Sequence, residues 1–303
     1  MASDGIDVFG LGKCALDHIG LLDHDPEPDM KHEVLGLTIQ GGGPVATALV
    51  ALARWGCSCS FCGVIGDDDF GRRIRESLDS EGVDTGGLVV REGCMSQFAF
   101  IAAEPRKARR TIFWQRPTGA PPRIDEVDLA RLRSTRIFHT DGLFIETAIA
   151  AAREARKAGV PVSVDAGTLH EGMLELAGLA DYFIAAETFA QDLAGGDRPQ
   201  EACRRLAAMG PRVVGVTLGA RGYVALTEGR FIEGPAYPVP AVDTTGCGDV
   251  FHAGFIYGCL KKWTPERSLD FGAWSASRVS LYPGGRTGIP TSADMERNGY
   301  DRR

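Results

Sequence analysis

Several things are missing from this chain, and each absence removes a class of function. There is no excess of positive charge: 33 Lys and Arg stand against 40 Asp and Glu, a net charge of −7. Nucleic-acid and anionic-membrane footprints are basic, so no nucleic-acid or membrane partner is expected. There is no unbroken apolar run long enough to span a bilayer, because the longest uncharged stretch, residues 34–53, is interrupted by Gly41-Gly42-Gly43-Pro44. The N-terminus, MASDGIDVFG, has no basic segment followed by an apolar one, so no secretory signal is read and a cytoplasmic location is expected. No Walker A pattern occurs, which removes the P-loop fold. Nor is there an H-E-x-x-H pair, and the six histidines are scattered. Cys57, Cys59 and Cys62 lie close together but lack a second Cys or His pair at zinc spacing. They read as buried thiols, and no protein-held metal is expected. No repeat of 20 to 50 residues is visible.

What the chain has in quantity is glycine, 39 residues in 303, without a collagen-like period. At roughly 150 residues per domain, this length allows two ordinary domains or one large α/β unit. Strand-like and helix-like patterns alternate, as in βαβ units around a mainly parallel sheet. Strands are predicted over 6–11, 59–65, 136–139, 161–165, 181–185 and 213–218. Helices are predicted over 45–55, closed by Gly56, over 72–81 after Asp67-Asp68-Asp69, and over 146–158, ending at Gly159. The three aspartates read as helix-capping and dipole-compensating groups before they read as a metal site. Two stretches break the rhythm. Residues 20–40 and 87–117 are extended and turn-rich, with LVV, QFAFIAA and RTIFWQ separated by segments such as AEPRKAR. They are assigned to a small β lid over the site, of the kind that keeps water from a reacting centre.

Four glycine-rich segments carry the chemistry. In Asp243-Thr244-Thr245-Gly246-Cys247-Gly248-Asp249, a turn opens the apolar helical run VFHAGFI. Unpaired backbone N–H groups and the positive dipole end make such a helix start an anion site. Asp249 on the same turn suits a base that takes a proton from an attacking hydroxyl; a carboxylate capping a buried helix is the other reading. Gly41-Gly42-Gly43-Pro44 opens a small-residue helix containing Thr47, a surface on which a polyhydroxylated ligand can approach the backbone, or simply a close helix-to-sheet contact. Thr217-Leu218-Gly219-Ala220-Arg221-Gly222 follows a strand, where nucleotides sit in open α/β sheets. Residues 283–290, PGGRTGIP, form a last glycine loop. A fifth segment, Gly10-Leu11-Gly12-Lys13-Cys14-Ala15, fits G-x-G-x-x-A, the dinucleotide fingerprint, but residues 16–20 look extended where that fingerprint requires a helix. An NAD-dependent oxidoreductase is therefore the weakest reading.

Taken together, residues 41–56, GGGPVATALVALARWG, and 243–255, DTTGCGDVFHAGF, resemble the two signature regions of the PfkB, or ribokinase-like, family of carbohydrate kinases. VIGDDDFG, VTLGARG and the C-terminal glycine loop fall in the family's order, so the resemblance covers nearly the whole chain. It implies a three-layer αβα sandwich with a mainly parallel central sheet and a small β lid, residues 1–303 forming one kinase domain with the lid at roughly 18–40 and 87–117. It implies ATP-dependent phosphorylation of a primary hydroxyl of a sugar or sugar derivative, with a sulfofructose or other ketose or ketose-phosphate kinase as the narrower alternative. By position, Asp249 matches the catalytic base and the N–H groups of Gly246, Cys247 and Gly248 the anion hole. Asp17, Gly42, Gly43 and Thr47 match sugar-binding positions. Thr217, Gly219, Gly222, Gly285 and Gly288 match the nucleotide side. ATP and Mg2+ are the implied cofactors, with K+ as a further monovalent-cation expectation and a homodimer through the lid as the implied assembly.

The departures bear on substrate. Thr47 stands where ribokinases often carry Asn, Cys247 stands where Ala is usual, and Ala186-Glu187-Thr188-Phe189 replaces the Asn-x-x-Glu of many members. That last change opens the alternative of a catalytically silent sugar- and nucleotide-binding relative. GGGPVATA, GDDDFG, DTTGCGDVFH and PGGRTGIP are most similar to the sulfofructose kinase branch, and Lys31 matches a sulfonate-contacting lysine there. Leu143, however, replaces that branch's Arg, with Arg116 as a substitute cation.

Overall fold

The structure, a computed structural model, describes residues 5–104 and 109–300. Residues 1–4 of the segment read for a signal, and 105–108 of the charged turn AEPRKAR, lie outside the described residues. Short, continuously apolar runs become strands that are covered on both faces, as parallel sheets require. β1 (Val8–Leu11) starts the chain's path, and β2 (Ala15–Leu21) and β3 (Gly36–Gly42) follow before α1 (Pro44–Arg54). Next come β4 (Cys59–Gly66), α2 (Asp69–Ser80) and β5 (Val83–Arg91), then β6 (Phe98–Glu104) and β7 (Arg109–Gln115). The βα rhythm resumes with α3 (Leu129–Ser134), β8 (Ile137–Thr140), α4 (Ile145–Lys157), β9 (Val162–Ala166), α5 (Met173–Leu179) and β10 (Tyr182–Ala186). After α6 (Glu187–Ala194) and α7 (Pro199–Ala207) lie β11 (Val213–Thr217), β12 (Tyr223–Thr227) and β13 (Arg230–Gly234). Three helices close the chain: α8 (Cys247–Leu260), α9 (Pro265–Val279) and α10 (Ser292–Arg297).

Nine strands form one sheet in the order β13-β12-β11-β10-β9-β8-β1-β4-β5. Its pairings are parallel from β5 to β11 and antiparallel through β12 and β13. Alternate side chains feed two cores. Phe9 and Leu11 join a cluster with residues of α4 to α7, while Val8 joins one with residues of α1, α8 and α9. This is the expected three-layer αβα arrangement. Among the described residues, no helix is long and apolar enough to cross a membrane.

A second sheet, β3-β2-β6-β7, stands apart from the first. It corrects the expected lid boundary. The run Leu88-Val89-Val90 belongs not to the lid but to β5, paired in parallel with Gly63, Val64 and Ile65 of β4 in the large sheet. Apolar alternation identifies a strand but not the sheet it will join. At the other end, lid pairing begins at Ala15 rather than 18.

β2 also removes the oxidoreductase reading, since a strand follows Gly12 where a dinucleotide fold needs a helix. The two glycines of that motif serve packing: a Cβ on Gly10 would stand 2.6 Å from Val45 Cγ1, and one on Gly12 would stand 2.6 Å from Val45 Cγ2. The aspartate triplet is likewise structural. Helix α2 starts at Asp69 rather than 72, because Asp68 caps it by accepting from the Gly71 N–H at 2.7 Å. All eight cysteines are unpaired, and Cys59 and Cys62 are buried in β4.

Candidate active site

In a parallel sheet every strand ends at the same edge, so β1, β8, β9, β10 and β11 deliver their last residues to one rim. The lid leaves the large sheet at that rim, directly after β1. Asp17 sits on β2 opposite Gln40 of β3 and Ala99 of β6, and Ala99 in turn faces Trp114 of β7. The chain needs Gly42 here, because a Cβ at that position would overlap the Asp17 carboxylate. Gly43, at φ 100°, is the N-cap of α1. Thr47, on the first turns of α1, is buried, and its Cγ2 lies 3.6 Å from where a Cβ on Gly285 would stand. Lys31 is exposed on the loop between β2 and β3.

The expected helix start is present. Gly246, at φ 74°, caps α8, and Cys247, Gly248 and Asp249 form its first turn. A Cβ on Gly246 would overlap Gly285 Cα, so the C-terminal glycine loop lies directly against the turn. Asp243 staples the two together. Its Oδ1 accepts from the N–H and hydroxyl of Thr245 at 2.9 and 2.8 Å, and its Oδ2 accepts from the Gly284 N–H at 2.8 Å. Arg110 of the lid strand β7 donates to the Thr244 hydroxyl, so the lid touches this turn as well. Burial pushes the Cys247 thiol up to about 12, which leaves it an uncharged filler beside the backbone donors.

Four carboxylates converge on this place. Burial pushes Asp249 well above the usual range, and the charges of Asp165, Asp17 and Asp141 push the same way against Arg286. Asp17 is pushed up to about 6, first by burial and then by Asp243, again opposed by Arg286. Burial raises Asp141 to about 7, although the N–H groups of Lys13 and Leu143 donate to it at 2.8 and 3.0 Å. Arg286 is the buried counter-charge: 3% exposed, donating to Ser77 Oγ at 3.1 Å, its own pKa brought down to about 10 by burial. Carboxylates that hold protons tightly next to a helix N-terminus can accept a proton while the helix end holds an anion.

Further along the rim lies the other predicted segment. Thr217 ends β11 and donates to the Ala185 carbonyl at 3.4 Å. Gly219 and Gly222 bound the short turn after it, and a Cβ on Gly222 would overlap the Gly234 carbonyl. Gly288 packs on the end of α9, where a Cβ would stand 2.7 Å from the Arg278 carbonyl. At the position of the altered Asn-x-x-Glu, Ala186 ends β10, and Phe189 is fully buried against Phe183, with ring centroids 5.5 Å apart. Glu187 pairs with Arg221 at 2.6 Å.

Residues 6–292 match the pfkB family carbohydrate kinase. The chain belongs to the pfkB family. Its relatives include a ribokinase of Haemophilus influenzae, 29% identical over 294 residues, 93% of this chain and 94% of that one. An ATP-dependent ribose-1-phosphate kinase of Halopiger xanaduensis is 30% identical over 273 residues, 85% of this chain and 87% of that one. In fold, the chain matches a putative ribokinase from Agrobacterium tumefaciens with a TM-score of 0.90 at 24% identity, covering 99% and 100% of the two chains. It also matches Arabidopsis thaliana ribokinase complexed with ribose and ATP, with a TM-score of 0.82 at 23% identity, covering 97% and 98%. As a pfkB carbohydrate kinase, the enzyme phosphorylates a sugar at the expense of ATP.

Several residues of this pfkB site escaped the sequence reading. Asp243 and Arg286 lie inside the glycine-rich motifs, but the partners that tie these motifs to other segments, Gly284 for Asp243 and Ser77 for Arg286, are distant in sequence. Gln40 precedes the glycine triplet, and its Nε2 is buried with no hydrogen-bond partner among the described residues. The one signal available in advance was His252, a polar residue three positions after Asp249 in an otherwise apolar helix.

Proposed function

We propose that Asp249 accepts the proton of the sugar hydroxyl while the N–H groups of Gly246, Cys247 and Gly248 receive the negative charge of the transferred phosphoryl group. The observation that carries this is the position of Asp249 on the first turn of α8, beside a glycine helix start and among Asp17, Asp141 and Asp165. Proton uptake and anion stabilisation are the two demands of phosphoryl transfer to an alcohol. The sugar lies under the lid, with Asp17 accepting from its hydroxyls, Gln40 donating to them, and Gly42, Gly43 and Thr47 shaping the floor. The nucleotide lies toward Thr217, Gly219 and Gly222, with Gly285 and Gly288 from the C-terminal loop. One domain, residues 1–303, with the lid built on it, performs the reaction.

Mg2+ belongs with ATP in this reading. Ala186 and Phe189 offer no ligand, and Asp243 is committed to backbone and hydroxyl donors. The donor set therefore suits an ion brought in on the nucleotide phosphates, where it would neutralise charge between them. K+ is part of the same proposal, with higher turnover in KCl than in choline chloride as the expected result. The eight unpaired thiols fit a reducing compartment, the cytoplasm.

Asp249→Asn tests the assignment. It is expected to lower kcat by ~10² to 10⁴ with a smaller change in KM, and sugar-dependent ATP turnover near wild type would overturn it. An ATP-consumption screen over hexoses, ketoses, sugar acids, sugar phosphates and sulfosugars identifies the acceptor. The sulfofructose reading is the narrower alternative; Lys31, Leu143 and Arg116, the positions that bear on a sulfonate, are all exposed. The second alternative, a silent binding protein, draws on Phe189 in place of a carboxylate; binding of sugar and nucleotide with no phosphorylated product across that screen would establish it.

A further inference from the structure

Asp249 has a polar layer behind it. One turn further along α8, His252 is 3% exposed, and its Nε2 stands 3.1 Å from Asp165 Oδ1 at the end of β9. Beneath the pair, His139 of β8 is fully buried, its ring centroid 5.8 Å from that of His252 and its Nδ1 3.3 Å from the Ser163 carbonyl. His252 Nδ1 and His139 Nε2 are buried with no hydrogen-bond partner among the described residues. Such a layer is costly. Buried polar groups without full pairing destabilise, and apolar residues of similar volume would pack the helix on the sheet at less cost. The rest of this helix takes the cheaper solution, with Val250, Ala253 and Ile256 buried. The polar residues are confined to the one place that abuts the proposed base.

We propose that His252 and Asp165 are a positioning pair for the base: His252 holds Asp165 ionised and fixed at the end of β9, where its charge strengthens Asp249 as a proton acceptor. This rests on Asp249 being the base. Burial pushes the Asp165 carboxyl up, but attraction to His252 and the hydrogen bond from it hold it below the ordinary range. Burial brings His139 down to about 4, with His252 adding to the effect, so His139 is a neutral ring at physiological pH. The charges facing Asp249 are Asp17 from β2, Asp141 from the end of β8, Asp165 from β9 and Arg286 from the C-terminal loop, and after burial Asp165 has the largest effect. In the reaction, the sugar oxygen forms its bond to the γ-phosphorus, the bond from that phosphorus to the β–γ bridging oxygen breaks to release ADP, and the hydroxyl proton passes to Asp249. Once protonated, Asp249 no longer repels Asp165, so the relief arrives during proton transfer and favours the transition state over the ground state.

The pH profile of kcat/KM for sugar tests this. Asp165→Asn is nearly isosteric and keeps an acceptor for His252. Its acid limb is expected to move down by about one pH unit, its plateau to fall by ~3- to 30-fold, and KM for ATP to stay within about twofold. His252→Phe removes the donor and should move the limb the same way, because an unpaired buried Asp165 takes up a proton. His252→Gln, which can present a nitrogen at the Nε2 position, should restore the wild-type limb. An acid limb unmoved in folded Asp165→Asn, or in His252→Phe should the first variant not fold, overturns the proposal. The Asp249→Asn profile separates the two readings. If Asp249→Asn abolishes the limb while Asp165→Asn leaves it unmoved, only the positioning pair fails; if Asp249→Asn keeps the limb, the base assignment fails.

Discussion

Asp17, proposed to bind the sugar, shows what a buried carboxyl costs a fold. Its carboxyl is 9% exposed and, chiefly through burial, raised from 3.8 to about 6. A carboxyl whose folded pKa lies above its unfolded one favours the native state below the unfolded value and loses that contribution as pH rises through the folded value. Between about pH 4 and 6 the apo enzyme should therefore lose up to ~3 kcal/mol on account of this group. Asp17→Asn removes the loss. Thermal melts across this window should show the variant gaining on the wild type as pH rises and staying more stable at pH 8, while sugar KM rises sharply. A difference in melting temperature that is flat with pH would contradict it. At this scale the sequence was legible where a side chain acts through its own turn: Asp249 and Thr47 both sit where the motifs put them. It was silent on Arg286, Gln40 and Asp165, whose meaning comes from residues far away along the chain.

Among the elements, α8 is the one on which the site depends, and its start is built from two segments. Gly246 can be capped in the left-handed region only without a Cβ, and a Cβ there would also overlap the Gly285 backbone. Gly246→Ala should cost ~1–3 kcal/mol of strain and lower kcat by ~10²-fold through misplaced backbone donors. A melting-temperature shift combined with an unchanged nucleotide KM is the expected pattern, and a variant with wild-type kcat would exclude a role for this turn in the reaction. Helix stops were readable from local chemistry, since Gly56 and Gly159 mark them in the sequence, whereas the start of α2 was placed three residues late because the capping role of Asp68 shows only in its bond from the Gly71 N–H. The assignment of β5 was not readable. Leu88-Val89-Val90 has the same alternation whether it pairs with the lid or with β4, and only the register with Gly63, Val64 and Ile65 decides.

At the scale of the whole molecule, the lid is unfinished. Its inner face carries Asp17. Its outer face exposes Leu37 at 57%, Ile39 at 44% and Phe113 at 54%, with Ile39 opposite His18, which in turn faces Phe100 and then Phe113 across the strands. An apolar face of this kind on a four-stranded sheet is characteristic of a surface that another copy covers. We therefore place the proposed homodimer contact on this outer face. Leu37→Asp combined with Ile39→Asp should convert a dimer to a monomer in analytical ultracentrifugation and raise KM for sugar more than KM for ATP, because the lid closes over the sugar end. Sedimentation of the wild type as a monomer at micromolar concentration would rule this assembly out.

The sequence by itself determined the parts whose physics is local. Short apolar strands alternating with capped helices dictate the parallel α/β sandwich, and a glycine turn opening an apolar run dictates a helix start with Asp249 on its first turn. The family signatures, read as a resemblance, carried those parts to a sugar kinase, and the match over residues 6–292 bears that out. What only the tertiary structure decided is which distant groups share one electrostatic environment. Asp17, Asp141, Asp165 and Asp249 come from four separate segments, and His252 and Arg286 meet them from two faces. Each changes the proton affinity of its neighbours because charge acts through space in a poorly solvated interior. No spacing along the chain encodes that proximity, and the proposal of Asp249 as the base rests on it.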